Sequence, residues 1–353
     1  MTTLVEQAGD APRAPGWTRT ALIFAAFLVV LAASIVISLC VGRYSVSALR
    51  AVEILGGAIV DPGHAIGAMD ERIVLLVRTP RVIIAVLSGA ALAIAGVALQ
   101  GVFRNPLVSP EVLGISQGAA FGGALAITLG IWGLPLLLAV FLAGFSALIM
   151  VGLLARINGR TEIITVILSG MVIGSLFSAF VSLLQFLADP NSSLPAIVYW
   201  LMGSFATATW DRVLVSTPGL AIGMALLWAL RFRLNILSLD DSEARSLGAR
   251  PDRERWLVFA LVALIVGSQV AVSGIVGWVG LVIPHAARLI VGYDHRRLLP
   301  ASALLGAAFM VTVDTLARTV TAAEIPLGVL TAIVGAPVFA VLLRRHYHDK
   351  EAS

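Results

Sequence analysis

The sequence predicts an all-α polytopic membrane protein with about ten transmembrane helices, and two observations carry that reading. Mean hydropathy is +0.98 over 353 residues, with 59% hydrophobic and only 12% charged side chains. Apolar runs of about 20 residues, the length a helix needs to cross a hydrocarbon core of roughly 30 Å, recur along the chain. A β-barrel is excluded, because barrel strands alternate apolar and polar residues with a period of two.

Residues 1–20 are polar and read as a tail. Ala21–Val41 is a retained first span, since a cleavable signal has a shorter apolar core behind a short basic region. Further spans are expected at 82–102, 112–131, 133–155, 162–187, 212–231, 256–273, 276–292, 298–317 and 326–343. Residues 21–343 thus form one transmembrane domain, with a second tail at 344–353. The third and fourth spans are joined by the short turn Gly130–Pro135, as an antiparallel hairpin requires. Segment 191–205, interrupted by Pro195 and Gly203, is expected to be a short or re-entrant helix that does not cross. Ten spans put both termini on one side. Arg231, Arg233, Arg296, Arg297, Arg344 and Arg345 fall on that side with the larger share of the 24 basic residues, so both termini are expected in the cytoplasm.

The net charge of +4 and pI near 9.8 report this loop asymmetry, and no nucleic-acid partner is expected. Cys40 is the only cysteine, which excludes an internal disulfide and a cysteine metal site; it reads as a small buried hydrophobe.

Leu234–Arg255 concentrates nine charges: Asp240, Asp241, Glu243, Arg245, Arg250, Asp252, Arg253, Glu254 and Arg255. At about 2.5–3.5 kcal/mol per charge at membrane centre, this loop must leave the bilayer on the cytoplasmic side. Asp240 and Asp241 are good helix starters, Ala244 and Leu247 are expected to share one face, and Gly248 is a natural stop. Pro251 suits the first turn of the next helix, with Asp252 and Glu254 at its positive end. A short amphipathic helix held outside the membrane is expected to dock on a partner.

Three further stretches hold more Gly, Pro and polar residues than plain spans need: Arg78–Gly122, Ser273–Pro300 and Asp314–Leu343. In the first, Gly89, Ala90, Ala93, Gly96 and Gly101 allow close helix approach, and Arg104, Asn105, Pro106 and Pro110 make a rigid cytoplasmic turn. Pro284 marks a structural turn in the second. The runs RTPR, LQGVFRNPLVSPEVLGISQGAA, YWLMGSFATATW, LNILSLDDSEARSLG, GLVIPHAARLIVGYDHRRLLP and DTLARTV…EIPLGVLTAIVGAPVF follow one another from Arg78 to Leu343. In that order they resemble the FecCD family, the permease subunits of binding-protein-dependent ABC importers for ferric siderophores, haem and cobalamin.

The resemblance implies a type II ABC importer permease fold in a bacterial inner membrane. It also implies a second permease subunit, two cytoplasmic ATPase subunits and an extracytoplasmic substrate-binding protein. No GxxxxGK[ST] run occurs, so ATP and Mg are expected in the ATPase and no cofactor or metal on this chain. By the same resemblance Leu239, Asp240, Asp241, Glu243, Ala244, Arg245, Leu247 and Gly248 form the ATPase coupling element; many relatives have Gly at the position of Asp240. Arg78, Arg81 and Arg318 match arginines that receive acidic residues of the binding protein. The expected cargo is an iron chelate, a ferric siderophore first, with haem or cobalamin as alternatives.

His285 is expected to be a packing histidine rather than a metal ligand. His346 and His348 flank Tyr347 in the tail, too little for a metal site. Asp314 and Glu324, near the outer boundary, are expected to pair with Arg318 or cap helix ends. An ion-coupled secondary transporter would place charges well inside spans, and the expected spans show them only near their ends. An intramembrane enzyme would need a catalytic pair at depth, such as Ser with His or two Asp residues; the sequence marks no obvious catalytic Ser to go with His285, and no HExxH run occurs.

Overall fold

The computed structural model describes residues 17–61, 67–157, 160–161 and 163–351, with side chains described for 18–61, 67–155 and 163–341. The described chain is helical apart from its connections and a two-residue antiparallel ladder, Arg156–Ile157 with Arg160–Thr161. Helix α1 (Trp17–Cys40) leads to a short amphipathic α2 (Ala48–Val60). A continuous 35-residue helix, Met69–Phe103, follows. It comprises α3 (Met69–Arg72), a π-helical stretch (Ile73–Arg78) and α4 (Thr79–Phe103). Pro80 has no N–H to return to the preceding turn, and the helix widens just before it.

The chain continues through α5 (Ile115–Thr128), α6 (Leu134–Ala155), α7 (Ile163–Leu187), α8 (Ser193–Leu201) and α9 (Trp210–Ala229). Then come α10 (Arg231–Leu237), α11 (Asp241–Ser246), α12 (Pro251–Ser273), α13 (Val279–Val291), α14 (His295–Thr319) and α15 (Leu327–Glu351). Among the described residues, seven helices are long and apolar enough to cross a membrane: α1, Met69–Phe103, α6, α7, α9, α12 and α14. Two of the other three expected spans are shorter. The 14 residues of α5 and 13 of α13 rise only about 20 Å, whereas α15 runs 25 residues, with Leu327–Val341 the apolar stretch among its described side chains.

What completes α5 and α13 is broken backbone. A 3₁₀ turn, Pro110–Leu113, precedes α5, and the non-helical Gly274–Trp278 precedes α13. The nine residues of α8 do not cross either. Such breaks are tolerated at membrane depth only where protein satisfies the freed backbone groups, and it does here. Ser204 N–H donates to Ser273 O at 2.8 Å, Leu327 N–H to Gly203 O at 2.9 Å and Gly328 N–H to Met202 O at 3.0 Å.

Helix α4 is the hub: 83% of the apolar window of its span is buried, against 22% for α1. It packs on α14, α9 and α13. The approach is close because Gly89 faces Gly306 of α14 and Gly96 faces Gly280 of α13; a Cβ on either would collide with the opposite carbonyl. Without a hydrophobic force between helices in lipid, such backbone proximity is what holds spans together. The outer helices turn Leu142, Leu153, Ile164 and Phe186 outward, a lipid-facing surface.

Candidate functional site

At one end of α4 lies the charged loop. Asp240 sits at the N-cap of α11 with extended backbone but makes no side-chain cap bond. Its carboxylate instead takes Arg104 at 2.6 Å, so it starts the helix by position alone. Asp241 is held by Arg255, Nη1 at 3.1 Å with a second, shorter bond from Nη2, and by Arg104 Nη2. These bonds, Arg255's above all, hold the Asp241 carboxyl below the usual carboxylate range. Arg255 is buried, on the first turns of α12. Asp241 therefore joins α11 to the ends of both α4 and α12.

Helix α11 stops at Gly248, φ +77°, with Gly248 N–H donating to Arg245 O and Ala249 N–H to Ala244 O, each 3.0 Å. This is the paired closure that glycine allows at a helix C-terminus. Ala244 and Leu247 do not share a surface, contrary to the expectation from spacing. Ala244 is buried, whereas Leu247, the residue at the C-cap, is 58% exposed. Leu239, Glu243 and Arg245 are exposed as well, so the outward face of the loop is Leu239, Glu243, Arg245 and Leu247.

Arg104 closes α4 in the left-handed region, φ +52°, and Asn105 Oδ1 accepts from Leu107 N–H at 2.9 Å. With Pro106, these residues turn the chain. Pro284 does not. It lies buried inside α13, and its missing N–H frees the Gly280 carbonyl one turn back. Gln100 of α4 supplies the lost donor: its Nε2 lies 3.3 Å from Gly280 O and 3.1 Å from Leu281 O. Arg288 in turn donates to Gln100 Oε1 at 2.8 Å. Beside this relay is a cavity of about 430 Å³, lined by residues that include Arg104, His285, Arg288, Tyr293 and His295. His285 is buried, edge-on to Phe339 of α15, in a packing position. His346 and His348 lie outside the described side chains. Cys40 is a part-buried free thiol.

The other end of α4 holds the three arginines expected to dock a binding protein, and all point inward. Arg81 Nε lies 2.9 Å from Asp314 Oδ1, and its two terminal nitrogens are each 2.9 Å from Glu324. Arg78 donates to the carbonyls of Leu39, Cys40 and Tyr44. Arg318 donates to Val41 O at 2.7 Å and to Ser38 Oγ at 3.0 Å, with Nε 3.8 Å from Asp314. Arg78 and Arg81 are buried. The acids pair mainly with Arg81 rather than with Arg318. Together these bonds tie α1, α4, α14 and the loop before α15.

One charge sits where the sequence suggested none. The sequence puts Pro110 in a cytoplasmic turn ahead of a span starting at 112, yet Pro110 packs on Gly280, whose own surroundings include Gly96 and Leu92 of α4. Those residues are about 10 and 16 Å along α4 from Phe103. The segment after Arg104 folds back into the bundle, and the Glu111 carboxylate lies over Gly277. Pro110 and Gly114, two breakers around a three-residue turn, were the signal for this break.

The FecCD transport family matches residues 29–345. The chain belongs to that family. Among curated relatives, the molybdate import system permease protein MolB of Haemophilus influenzae is 45% identical over 87% of this chain and 91% of its own. A probable iron chelatin transport system permease protein of Helicobacter pylori is 40% identical over 77% of this chain and 82% of its own. A solved inward-facing putative metal-chelate type ABC transporter superposes with a TM-score of 0.83 at 42% identity, covering 92% of this chain and 99% of that one. This FecCD chain is a multi-pass permease of the ABC importer class, a transport subunit.

Proposed function

We propose that this FecCD permease pairs with a second permease and two cytoplasmic ATPase subunits to import an iron chelate, a ferric siderophore first, handed over by an extracytoplasmic binding protein. The observation that carries the reading is α11. On α11 and its flanks, the outward Leu239, Glu243, Arg245 and Leu247 offer a contact surface, while Asp241 at the start of the helix is tied to α4 and α12. A push on that surface is delivered to two bundle helices. The ATPase binds and hydrolyses ATP with Mg, and this chain supplies the path and the mechanical link. At the opposite end, acidic groups of the binding protein exchange with Asp314 and Glu324 on Arg81, with Arg78 and Arg318 beside it; guanidinium groups suit such directed, salt-sensitive docking. The termini lie in the cytoplasm and the membrane is the bacterial inner membrane.

A second reading of the cargo is molybdate, favoured by the higher identity to the molybdate permease, 45% against 40%. Haem and cobalamin are further alternatives within the class. The test is purification from solubilised membranes, comparing the native chain with Leu247→Asp. A stoichiometric ATPase accompanies the native chain and is lost or uncoupled in the variant. If no ATPase accompanies the native chain, the reading falls.

A further inference from the structure

The segment between α4 and α5 carries a carboxylate to a depth that none of the long helices reaches with an acid. Glu111 sits on the 3₁₀ turn Pro110–Leu113. Through Pro110 it is level with Leu92 and Gly96, near the middle of a helix about 37 Å long. The residue is among the exposed ones of the chain, with its carboxyl against Gly277. Among the described residues it has no ion pair. An acid at this depth does not face lipid: membrane acids turn to the bundle interior, to a partner or to water.

The surroundings narrow the choice. Val112, the next residue, has its carbonyl pressed on Gly170 of α7, and Trp278, next to Gly277, packs on Gly335 of α15. Trp278 is held at φ +69°, a conformation that bulky residues rarely adopt. Three breaks in regular backbone touch one another: Glu111 of Pro110–Leu113 lies over Gly277, and Gly203, after α8, packs on Ser273 O and Ile275 O. Broken backbone at membrane depth lines either protein or a water-filled cavity, and a carboxylate on an exposed residue beside it favours the cavity.

We propose that Glu111 lines the substrate path at mid-membrane depth and makes that path favour neutral or cationic metal chelates over bare oxyanions. The inference rests on the importer reading, in which a path runs along this subunit. Within that reading it separates the two cargoes: a ferric chelate of zero or positive charge passes, and a molybdate dianion is repelled by the Glu111 of each paired permease.

The test uses the assembled permease–ATPase complex in proteoliposomes, in a Cys40→Ser background that removes this chain's only thiol, with labelling read on the permease band. Glu111→Cys is expected to react with both a sulfonate-bearing and a trimethylammonium-bearing thiosulfonate, with rates that change when the ATPase is trapped with vanadate. A second reporter, Val112→Cys, reads the local charge with Glu111 present. There the cationic reagent reacts faster than the anionic one, and adding Glu111→Gln shifts the rate ratio on the order of tenfold, as removing one charge about 6 Å away would in a water-filled path of dielectric about 80, where the two reagents' rates move roughly threefold in opposite senses. Reaction of Glu111→Cys only with a lipophilic maleimide overturns the proposal, as does protection in the complex that is relieved by separating the permeases. An unchanged ratio at Val112→Cys removes the charge preference. Loss of the ATPase from the native complex is a different failure, that of the importer reading itself.

Discussion

Each end of α4 carries one arginine that holds two carboxylates, in opposite surroundings. At the outer end Arg81 grips Asp314 and Glu324; their side chains are 8%, 1% and 28% exposed. At the inner end Arg104 grips Asp240 and Asp241, with exposures of 27%, 76% and 35%. Ion pairs out of water are costly to form and costlier to break, because each partner then stays buried and unpaired. Pairs in water are nearly free to exchange. The outer cluster is therefore built to stay shut unless equivalent charges are offered to it, and the inner one to yield and re-form. Under the proposed function that asymmetry suits an importer: a seal at the end that would receive the binding protein and a movable joint at the end that would meet the ATPase.

The comparison predicts its largest effect at Arg81. Arg81→Ala leaves Asp314 buried with only Arg318 at 3.8 Å in place of its hydrogen-bonded cation, which should cost about 3–5 kcal/mol, seen as loss of folded protein in detergent or a sharply lowered Tm. Adding Asp314→Asn should recover part of that loss, since the stranded charge is then gone. An Arg81→Ala chain as stable as the native one would show that the outer cluster is not the lock described here.

Leu247→Asp should act on assembly and leave the chain itself intact. The side chain is 58% exposed, so thermal stability should move by less than about 0.5 kcal/mol. Retention of the ATPase should fall at least about tenfold, the loss expected when a central apolar contact becomes a charge. Equal damage to stability would place Leu247 in the chain's own packing instead.

How much of this was legible in the sequence follows from which signals are local. Span lengths and the charge run Asp240–Arg255 gave the seven long helices and the start and stop of α11, because hydropathy, Gly248 and Pro251 act within a few residues. The partners of those charges were not legible. Asp241 meets Arg104 from 137 positions away, and Arg81 meets Asp314 across 233; no periodicity encodes such pairs. Pro284 reads as a turn when its neighbours are unseen. Only Gln100, on another helix, explains how α13 continues through it. The depth of Glu111 was hidden for the same reason. A span defined by continuous hydropathy cannot show a backbone that enters the membrane without being a helix.

Asp241→Asn should give a smaller and more selective change. The amide keeps the shape but weakens charge-assisted bonds to Arg255 and Arg104, a difference of about 1 kcal/mol for a half-exposed pair. The ATPase should remain bound, because the outward surface is untouched, while transport per ATP hydrolysed falls. If transport and hydrolysis fall together, Asp241 belongs to the ATPase contact and not to the joint behind it.

Acidification should give the smallest effect, and its sign is fixed by Asp241. Its folded-state pKa lies below the ordinary carboxylate value of 3.8, first because of the Arg255 hydrogen bond, then the charges of Arg255 and Arg104. A carboxyl depressed on folding contributes stability that is present above its unfolded pKa and lost as pH falls through the folded one. Between pH 8 and about 5 the joint therefore stays fully ionised, and the ratio of transport to ATP hydrolysis should be flat. It should fall only below about pH 4, and added salt should blunt the change because the pair is partly solvated. A ratio that already drops near pH 6 in the native chain, and equally in Asp241→Asn, would assign the titrating group elsewhere and leave the inner joint without its proposed hold on α4 and α12.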